Sequence, residues 1–496
     1  MKESIIIIGA GMGGLASGVY GQVNGYNTQI FEMHHSPGGQ CTAWQRKGYT
    51  FDACIHHLFG CKPGSSIYQL WEELGAMPCE MVPITECTSI ASPEGKMFID
   101  YYDLEKLERH LTDLSPTDSR VIEQYIKGIK LILKHDPIDI MFTGSRLGLL
   151  KLLPSMPFLM KWFKMTMKQF GEKFSDPFLR KAFPLLVYSM PDAPIFLHLG
   201  RHAYGMTNNI QWPVGGAQQF ARSIEKRYQE LGGTVHYRSK VEKILVLNDK
   251  ATGVKLSDGS EHYADYVISN ADGRKTIMNM LEGKYLNEKV KVYCKEPPDE
   301  IIMAVNVFLG VNKDLSKEPS AMIMLLDKPE IIANHKCESL EIQIYSFDKT
   351  MAPQGKSTIK IELVSGYDYW KQLYKDKAKY NETKQEVAQQ VIDILEKRFP
   401  GIRNQIEVID VTTLVTWERY MGGTHGWNNF PNRAFDFSFI PKPSGKRYET
   451  TLPGLSNFYF AGVWATTAGA LNMNALSGKK TIQTICKKDG IKFKAK

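Results

Sequence analysis

The chain opens with a run of β-branched residues and a glycine-rich turn, Ile5-Ile6-Ile7-Ile8-Gly9-Ala10-Gly11-Met12-Gly13-Gly14. The four isoleucines predict a short parallel strand that is buried on both faces. A helix-compatible stretch then runs to about Val23, and Gly25 ends it before a second strand, Asn27 to Phe31. This order of strand, turn, helix and strand predicts a βαβ unit of an α/β fold.

The glycines of this turn follow the pattern G-x-G-x-x-G, and each has a steric role. Gly9 permits the tight turn, Gly11 lets the backbone approach a pyrophosphate, and Gly14 lets the helix pack close to the strand. The free amides at the helix N-terminus then face the phosphates, with help from the helix dipole. Glu32 follows the second strand, where it can accept hydrogen bonds from a ribose and would repel an NADP 2′-phosphate. The segment therefore predicts a dinucleotide site.

Two elements that follow Glu32 narrow the choice of dinucleotide. They are Ser36-Pro37-Gly38-Gly39-Gln40-Cys41 and Gly48-Tyr49-Thr50-Phe51-Asp52. With them the sequence resembles an FAD-dependent superfamily of amine-oxidase-like fold, which includes phytoene desaturases, carotenoid isomerases, retinol saturases and flavin amine oxidases. Its members carry a double-glycine loop after the ribose acid and then a G-x-x-F-D element. They usually have Arg where this chain has Gln40, so a charge near the diphosphate is missing here.

Three later segments extend the resemblance. They are Trp212 to Gly216 with the helix after it, the strand-rich stretch Thr234 to Ser269 with a hairpin turn at Asp258-Gly259, and the strand Asn457 to Gly462, followed by a helix expected to start near Asn474. The resemblance implies that the final helix points its N-terminus at the flavin, where its dipole stabilises negative charge on the reduced ring. Relatives often carry Asp after the last glycine. Val463-Trp464 stands there instead, which favours the saturase- and isomerase-like branches over the amine oxidases.

The resemblance implies an α/β fold in which a Rossmann-like FAD-binding domain is assembled from discontinuous segments and carries an inserted α+β substrate domain. We expect the FAD-binding domain to comprise residues 1–85, 205–285 and 410–496, and the substrate domain residues 86–204 and 286–409. The residues expected to bind FAD are Gly9, Ala10, Gly11, Met12, Gly13, Gly14, Glu32, Gly38, Gly39, Gln40, Val241, Asn270, Gly462, Val463, Leu471 and Met473.

Composition sets limits on the other classes of function. The 496 residues carry a net charge of +8, which is dispersed apart from residues 146–173 and 487–496, and no nucleic-acid-binding motif accompanies either stretch. The eight cysteines form no C-x-x-C pair, so no metal site is expected. No signal peptide and no apolar run of membrane-spanning length is recognised, which predicts a cytoplasmic protein with reduced thiols.

Residues 146–173 combine six basic residues with large apolar side chains, and two prolines divide them into short helices. This pattern is typical of a segment that lies on an anionic membrane with Trp and Phe, such as Trp162, at headgroup depth. An ordinary amphipathic helix pair that covers the substrate domain explains the pattern equally well. The first alternative predicts peripheral contact with the inner face of a membrane.

Candidates for acid–base chemistry follow the G-x-x-F-D element and precede or follow the last FAD segment. His56 and His57 can polarise or protonate a substrate. Because neighbouring residues of a strand point to opposite sides, we expect only one of the two to face the flavin. Tyr420, His425, Trp427 and Trp464 are candidates for lining the substrate tunnel or donating a proton.

The sequence thus predicts an FAD-dependent oxidoreductase that acts on carbon–carbon double bonds of a long apolar substrate such as a carotenoid, a retinoid or an unsaturated fatty acid. Saturation, desaturation and isomerisation all remain open. A flavin amine oxidase and a non-catalytic lipid-escort protein of the same fold are the alternatives. The intact glycine loop with Glu32 disfavours the escort protein, whose relatives have lost the flavin.

Overall fold

The computed structural model describes residues 3–143, 146–286, 291, 300–423, 450–466 and 470–496. Its strands are β1 (Ser4–Ile8), β2 (Asn27–Phe31), β3 (Ala43–Arg46), β4 (Tyr49–Asp52), β5 (Leu58–Phe59), β6 (Met81–Pro83), β7 (Glu86–Ala91), β8 (Met97–Tyr101), β9 (Ile210–Pro213), β10 (Thr234–His236), β11 (Val241–Leu247), β12 (Lys250–Leu256), β13 (Glu261–Tyr263), β14 (Tyr266–Ser269), β15 (Glu300–Val311), β16 (Ala321–Ile332), β17 (His335–Ile344), β18 (Ser357–Gly366), β19 (Ile406–Thr412) and β20 (Phe458–Phe460).

Its α-helices are α1 (Met12–Val23), α2 (Ser66–Glu73), α3 (Leu104–Leu114), α4 (Ser119–His135), α5 (Pro137–Thr143), α6 (Arg146–Leu152), α7 (Met156–Lys164), α8 (Met167–Gly171), α9 (Pro177–Ala182), α10 (Ile195–Met206), α11 (Gly216–Glu230), α12 (Gly273–Lys275), α13 (Tyr367–Leu373), α14 (Lys377–Arg398), α15 (Leu414–Met421) and α16 (Leu471–Lys488). No helix among the described residues is long and apolar enough to cross a membrane.

A parallel sheet with the strand order β10-β2-β1-β14-β20 forms the dinucleotide-binding part of the molecule. Strand β1 lies in its centre with all four isoleucines buried, because helices cover both faces of such a sheet. The strands come from three separate stretches of the chain, near the N-terminus, in the middle and near the C-terminus. The predicted α/β fold, with a Rossmann-like domain built from discontinuous segments, is therefore confirmed.

Helices α1 and α16 pack against each other below this sheet. A side chain at Gly478 of α16 would place its Cβ 2.8 Å from the Ser17 backbone nitrogen of α1, so only glycine permits this close crossing. Helix α16 begins at Leu471, and the prediction of a start near Asn474 was wrong. The backbone N–H of Asn474 donates to the Ala470 carbonyl at 3.0 Å. Asn474, a residue type that is common at the N-cap, therefore lies inside the first turn of the helix.

A second, mostly antiparallel sheet has the strand order β19-β15-β18-β17-β16-β7-β8, with β16 and β7 parallel. One face packs through apolar residues such as Ile361 against α13 and α14. The β3–β4 hairpin covers the other face, where the Phe51 and Phe308 rings stack at 5.2 Å. Strand β19 crosses the boundary that the sequence predicts at residue 410, and the division into five pieces stays a prediction.

The basic segment 146–173 forms the short helices α6, α7 and α8, as predicted. Leu147, Leu150, Leu153 and Phe158 are each at least 60% exposed. Trp162, in contrast, is buried, and its ring packs on Gly128 of α4, where an added Cβ would lie 2.9 Å away. Its expected place at headgroup depth was wrong, because α7 turns this face toward the protein core.

Candidate active site

The turn between β1 and α1 is too crowded for a Cβ at several of its glycines. A Cβ at Gly11 would lie 2.7 Å from Asn270 Nδ2, and one at Gly14 would overlap the Gly9 carbonyl oxygen. Helix α1 has no side-chain cap at its N-terminus. The N–H groups of a first helical turn lack intrahelical partners, so those of Met12, Gly13 and Gly14 are suited to bind an anionic group.

The Glu32 carboxylate lies against the glycine-rich turn. It accepts hydrogen bonds from the backbone N–H of Ala10 at 2.7 Å and of His34 at 2.8 Å. Burial raises the pKa of Glu32, and these hydrogen bonds oppose that shift. Two carboxylate oxygens offer about four acceptor sites, so the group retains capacity for ribose hydroxyls.

The double-glycine loop closes over this turn from the other side. Gly38 and Gly39 both have positive φ, 109° and 60°, and the Gly38 N–H donates to the Ala10 carbonyl at 2.9 Å. A Cβ on Gly39 would lie 3.3 Å from the Gly11 Cα. Gln40 follows directly and is partly exposed. The loop therefore packs its backbone directly against the backbone of the glycine-rich turn.

Gly462 in the C-terminal segment lies against the same turn, and together with Gly9, Gly11, Gly14, Gly38 and Gly39 it forms what we call the glycine cradle. Gly462 has a φ of 76°, and a Cβ there would overlap Asn270 Oδ1. Its N–H donates to Ser477 Oγ at 2.7 Å, which ties the segment to α16. Leu471 and Met473 lie in the first turn of α16, so the N-terminus of this helix borders the same region.

Two further predicted contacts lie at the ends of the cradle. Val241 is buried at the start of β11, and Val463 is half-buried in the 3-10 turn Gly462–Ala465. A ribose acid, an uncapped helix N-terminus and a cradle of glycines together suit a dinucleotide. The individual FAD contacts stay predictions, but the residues present fit the cofactor.

A buried ionic group lies where the substrate sheet meets the segment after β4. His56 Nε2 is 3.1 Å from Glu362 Oε2, and Lys360 Nζ is 2.8 Å from Glu362 Oε1. Burial alone would raise the pKa of Glu362, but His56 and Lys360 outweigh it and hold that pKa well below its usual range. Burial lowers the pKa of His56. Glu362 opposes that shift, and His56 Nε2 donates to its carboxylate, since an ionised carboxylate only accepts.

Arg201 of α10 extends this group toward His57. Its Nη2 donates to His57 Nδ1 at 3.3 Å and to the Cys87 carbonyl at 3.2 Å. Burial, with Arg201 beside it, holds the pKa of His57 well below its usual range. His56 lies in a bend and His57 follows it outside any strand, so the strand geometry assumed from the sequence is absent, and the expectation that only one histidine faces the flavin stays a prediction. Each of them reaches a different charged group.

The backbone next to His56 and Arg201 is strained. Tyr188 and Ser189 have positive φ values of 48° and 51°, which side chains disfavour. The Tyr188 ring lies 5.3 Å from the His56 ring and 5.2 Å from the Arg201 guanidinium carbon. Strained residues cluster at functional sites, which supports this place as a site.

A row of polar side chains crosses the sheet beside this group. Glu341, Glu362, Asn306 and Thr412 stand opposite one another on the neighbouring strands β17, β18, β15 and β19, and we call them the polar row. Lys360, two residues from Glu362, points to the same face. Burial and the neighbouring Glu362 raise the pKa of Glu341 to about 7. Sequence reasoning missed these residues, although charges that alternate with apolar residues in Lys360-Ile361-Glu362 were a usable signal.

Asp100 forms a second buried polar cluster behind Arg201. His198 Nε2 and His202 Nε2 lie 3.2 and 3.4 Å from its oxygens. Cys87, Asp100 and His198 each bring one potential metal-ligand atom within 4.8 Å of the others. The Tyr125 hydroxyl already bonds His198 Nε2 at 2.7 Å, and burial raises the pKa of Cys87 to about 12. We interpret the cluster as a hydrogen-bond network, and the expectation of no metal site stays a prediction.

Two of the remaining candidates, Tyr420 and Trp464, contact other parts of the molecule. Tyr420 is 42% exposed, and its ring meets the edge of His34 at 5.2 Å. Trp464 is buried in the core of the FAD-binding domain, where its ring packs over Gly273. His425 and Trp427 lie outside the described residues. Catalytic roles for Tyr420 and Trp464 thus have no support from their contacts and stay predictions.

Fold and cradle together define an FAD-dependent oxidoreductase. The family model for flavin containing amine oxidoreductases matches residues 12–486, and the chain belongs to that family. The resemblance, the cofactor and the enzyme class predicted from the sequence are therefore confirmed.

Two relatives and one solved structure show how far the similarity extends. The chain is 26% identical to a prolycopene isomerase from Daucus carota, with 85% of this chain and 71% of that protein covered. It is 24% identical to a 4,4'-diapophytoene desaturase from Methylomonas sp, with 99% and 97% covered. An oxidoreductase from Methanosarcina mazei matches with a TM-score of 0.63 at 19% identity, covering 97% of this chain and 100% of that one. The last match shows the fold alone.

Substitution of Glu32 by Gln should weaken FAD binding. The amide keeps the size of the side chain but loses one acceptor oxygen and the charge, so we expect about 10-fold to 100-fold lower affinity. The ratio of flavin to protein absorbance after dialysis measures the loss. Glu242→Gln, on the exposed surface of β11, is the matched control. Full retention of FAD by Glu32→Gln would contradict this role.

Glu341 should make stability depend on pH. Its pKa in the folded protein is about 7 against an ordinary 4.5, so the folded state binds more protons than the unfolded state between these values. Wild-type stability from this group therefore falls as pH rises from 4.5 to 7. Glu341→Gln removes this dependence, and its stability relative to wild type should rise across that window by about 1–3 kcal/mol.

Thermal unfolding of wild type and Glu341→Gln at pH 5 and pH 8 measures how much Glu341 contributes to the pH dependence of stability. The exposed Glu338→Gln on the same strand is the control. A stability difference for Glu341→Gln that does not change with pH would show that its carboxyl group titrates normally.

Proposed function

We propose that this flavoenzyme acts on a carbon–carbon double bond of a long apolar substrate, a carotenoid, retinoid or unsaturated fatty acid, by saturation, desaturation or isomerisation. The similarity to a desaturase over 99% of the chain is the observation that carries this proposal. A prolycopene isomerase that matches 85% of the chain supports the same substrate class.

The relatives favour this substrate class over the alternative of amine oxidation. The prolycopene isomerase and the 4,4'-diapophytoene desaturase are named for prolycopene and 4,4'-diapophytoene and not for amines. The escort protein has no comparable use for the ribose acid Glu32 and its glycine cradle.

Bound FAD would supply the two-electron chemistry at the double bond. The protein would orient the substrate, exclude water and exchange a proton with a substrate carbon. Glu341, with a pKa of about 7, is the group best matched to proton transfer at neutral pH. His56 would then fix the neighbouring charge of Glu362, so we propose His56 as a positioning residue.

We also propose that helices α6 and α7 dock on an anionic lipid bilayer. Leu147, Leu150, Leu153 and Phe158 project into solvent, and the exposed Lys151 and Lys161 lie among them. Apolar side chains that insert between acyl chains, with cations at the headgroups, are the two requirements of interfacial binding. Such contact would allow an apolar substrate to reach the enzyme from the membrane.

The substrate class is tested by anaerobic reduction of the FAD enzyme and mixing with candidate polyenes. Mass spectrometry should detect a saturated product and chromatography an isomerised one, and absorbance should report flavin oxidation when saturation occurs. The oxidised enzyme is assayed with the same polyenes for desaturation. Glu341→Gln should lower turnover about 100-fold with an unchanged flavin spectrum, and Glu338→Gln should not. Peroxide release with simple amines, together with no change in any polyene, would overturn the proposal.

Membrane docking is tested by sedimentation with phosphatidylserine vesicles. The triple variant Leu150→Ser, Leu153→Ser and Phe158→Ser should bind at least about 10-fold more weakly. It lacks three apolar side chains that the wild-type protein would insert into the bilayer. Leu247→Ser is the control, since Leu247 is 66% exposed on the FAD-binding domain. Equal losses in both proteins, or none in the triple variant, would contradict docking through these helices.

A further inference from the structure

The face of the sheet that carries the polar row is unusually polar for an enzyme whose substrate is a pure hydrocarbon. Glu341 and Glu362 carry carboxyl groups, Asn306 an amide and Thr412 a hydroxyl, all on this one face. Burial of polar groups is unfavourable unless each finds a hydrogen-bonding partner. A hydrocarbon offers none, so any buried donor near this face that has unused hydrogen-bonding capacity would stay uncompensated beside one.

Three buried side-chain nitrogens beside the polar row have unused hydrogen-bonding capacity. Arg201 Nε has no partner among the described residues, and Lys360 Nζ has only its ion pair with Glu362. His57 Nε2 also lacks a partner there. Because His57 Nδ1 accepts from Arg201, the proton of the neutral imidazole lies on Nε2. All three nitrogens are therefore hydrogen-bond donors that an additional acceptor can bind.

The three donors belong to one site. Arg201 contacts His57 directly, and Lys360 reaches His56, the next residue, through Glu362. Arg201 and Lys360 also act together on the pKa of Glu341 in the polar row. A single acceptor group bound among them would meet donors from the bend after β4, from α10 and from β18.

We propose that the substrate carries a carbonyl or carboxylate oxygen at the end that enters this site, and that Arg201, Lys360 and His57 bind that oxygen. The inference rests on the proposed function and narrows it to oxygenated unsaturated chains. The recognition of polar oxygen also gives the site a means to reject hydrocarbons, since a substrate without the acceptor leaves buried donors unpaired.

The test compares ligands of one carbon skeleton with the FAD-loaded enzyme: all-trans-retinal, all-trans-retinoic acid and the hydrocarbon axerophthene. Shifts of the flavin absorbance or quenching of tryptophan fluorescence give each Kd. We expect the aldehyde or the acid to bind at least about 10-fold tighter than the hydrocarbon, the worth of one hydrogen bond from a charged donor. The better of the two oxygenated ligands then identifies which oxygen group the site takes.

Two variants test whether the preference for oxygenated ligands over the hydrocarbon depends on the proposed donors. Lys360→Met should reduce it to about 2-fold or less, and Lys336→Met, exposed on β17, should leave it unchanged. His57→Phe removes a donor without leaving an unpaired charge, so it keeps the test valid if Lys360→Met does not fold. Equal binding of hydrocarbon and oxygenated ligands, or a preference that survives both variants, would overturn the inference alone. Binding of none of the three would count against the proposed function itself.

Discussion

The buried carboxylate of Asp52 joins the parts of this molecule that must meet at the active site. It accepts hydrogen bonds from the N–H groups of Ala217 at 2.6 Å, Cys54 at 2.9 Å and Ile55 at 3.1 Å. The first belongs to the N-terminus of α11 in the FAD-binding domain, and the other two shape the bend that carries His56. Burial raises the pKa of Asp52, and these hydrogen bonds oppose the shift. The position of the histidines therefore depends on a carboxylate that binds no ligand in our proposal.

The local parts of the FAD-binding domain could be predicted from the sequence because their causes are local. A strand of four isoleucines, a glycine at each sterically crowded position and an acid after the next strand act over about thirty residues. Helix α1 and strand β2 consequently have the predicted bounds. The assembly of the sheet from distant segments needed the family resemblance, since no local pattern specifies that β20 pairs with β14.

The chemistry on the substrate side could not be predicted in the same way. His56 and its partner Glu362 are 306 residues apart, and Lys360-Ile361-Glu362 looks like a strand with one solvent-exposed face. These charges are buried because the β3–β4 hairpin and the segment that carries His56 pack over that face. Tyr420 and Trp464 show the converse, because closeness to a cofactor motif in sequence did not bring their side chains to the polar row.

The contact of α16 with α1 has a consequence for how the enzyme is made. The glycine-rich turn is synthesised early, whereas β20 and α16, which complete its sheet and support its helix, follow much later in the chain. The nascent chain therefore has an exposed sheet edge at β14 until β20 has been made. Removal of both β20 and α16 would leave that edge exposed and the glycine-rich turn without its neighbours, so the product should bind FAD weakly and aggregate.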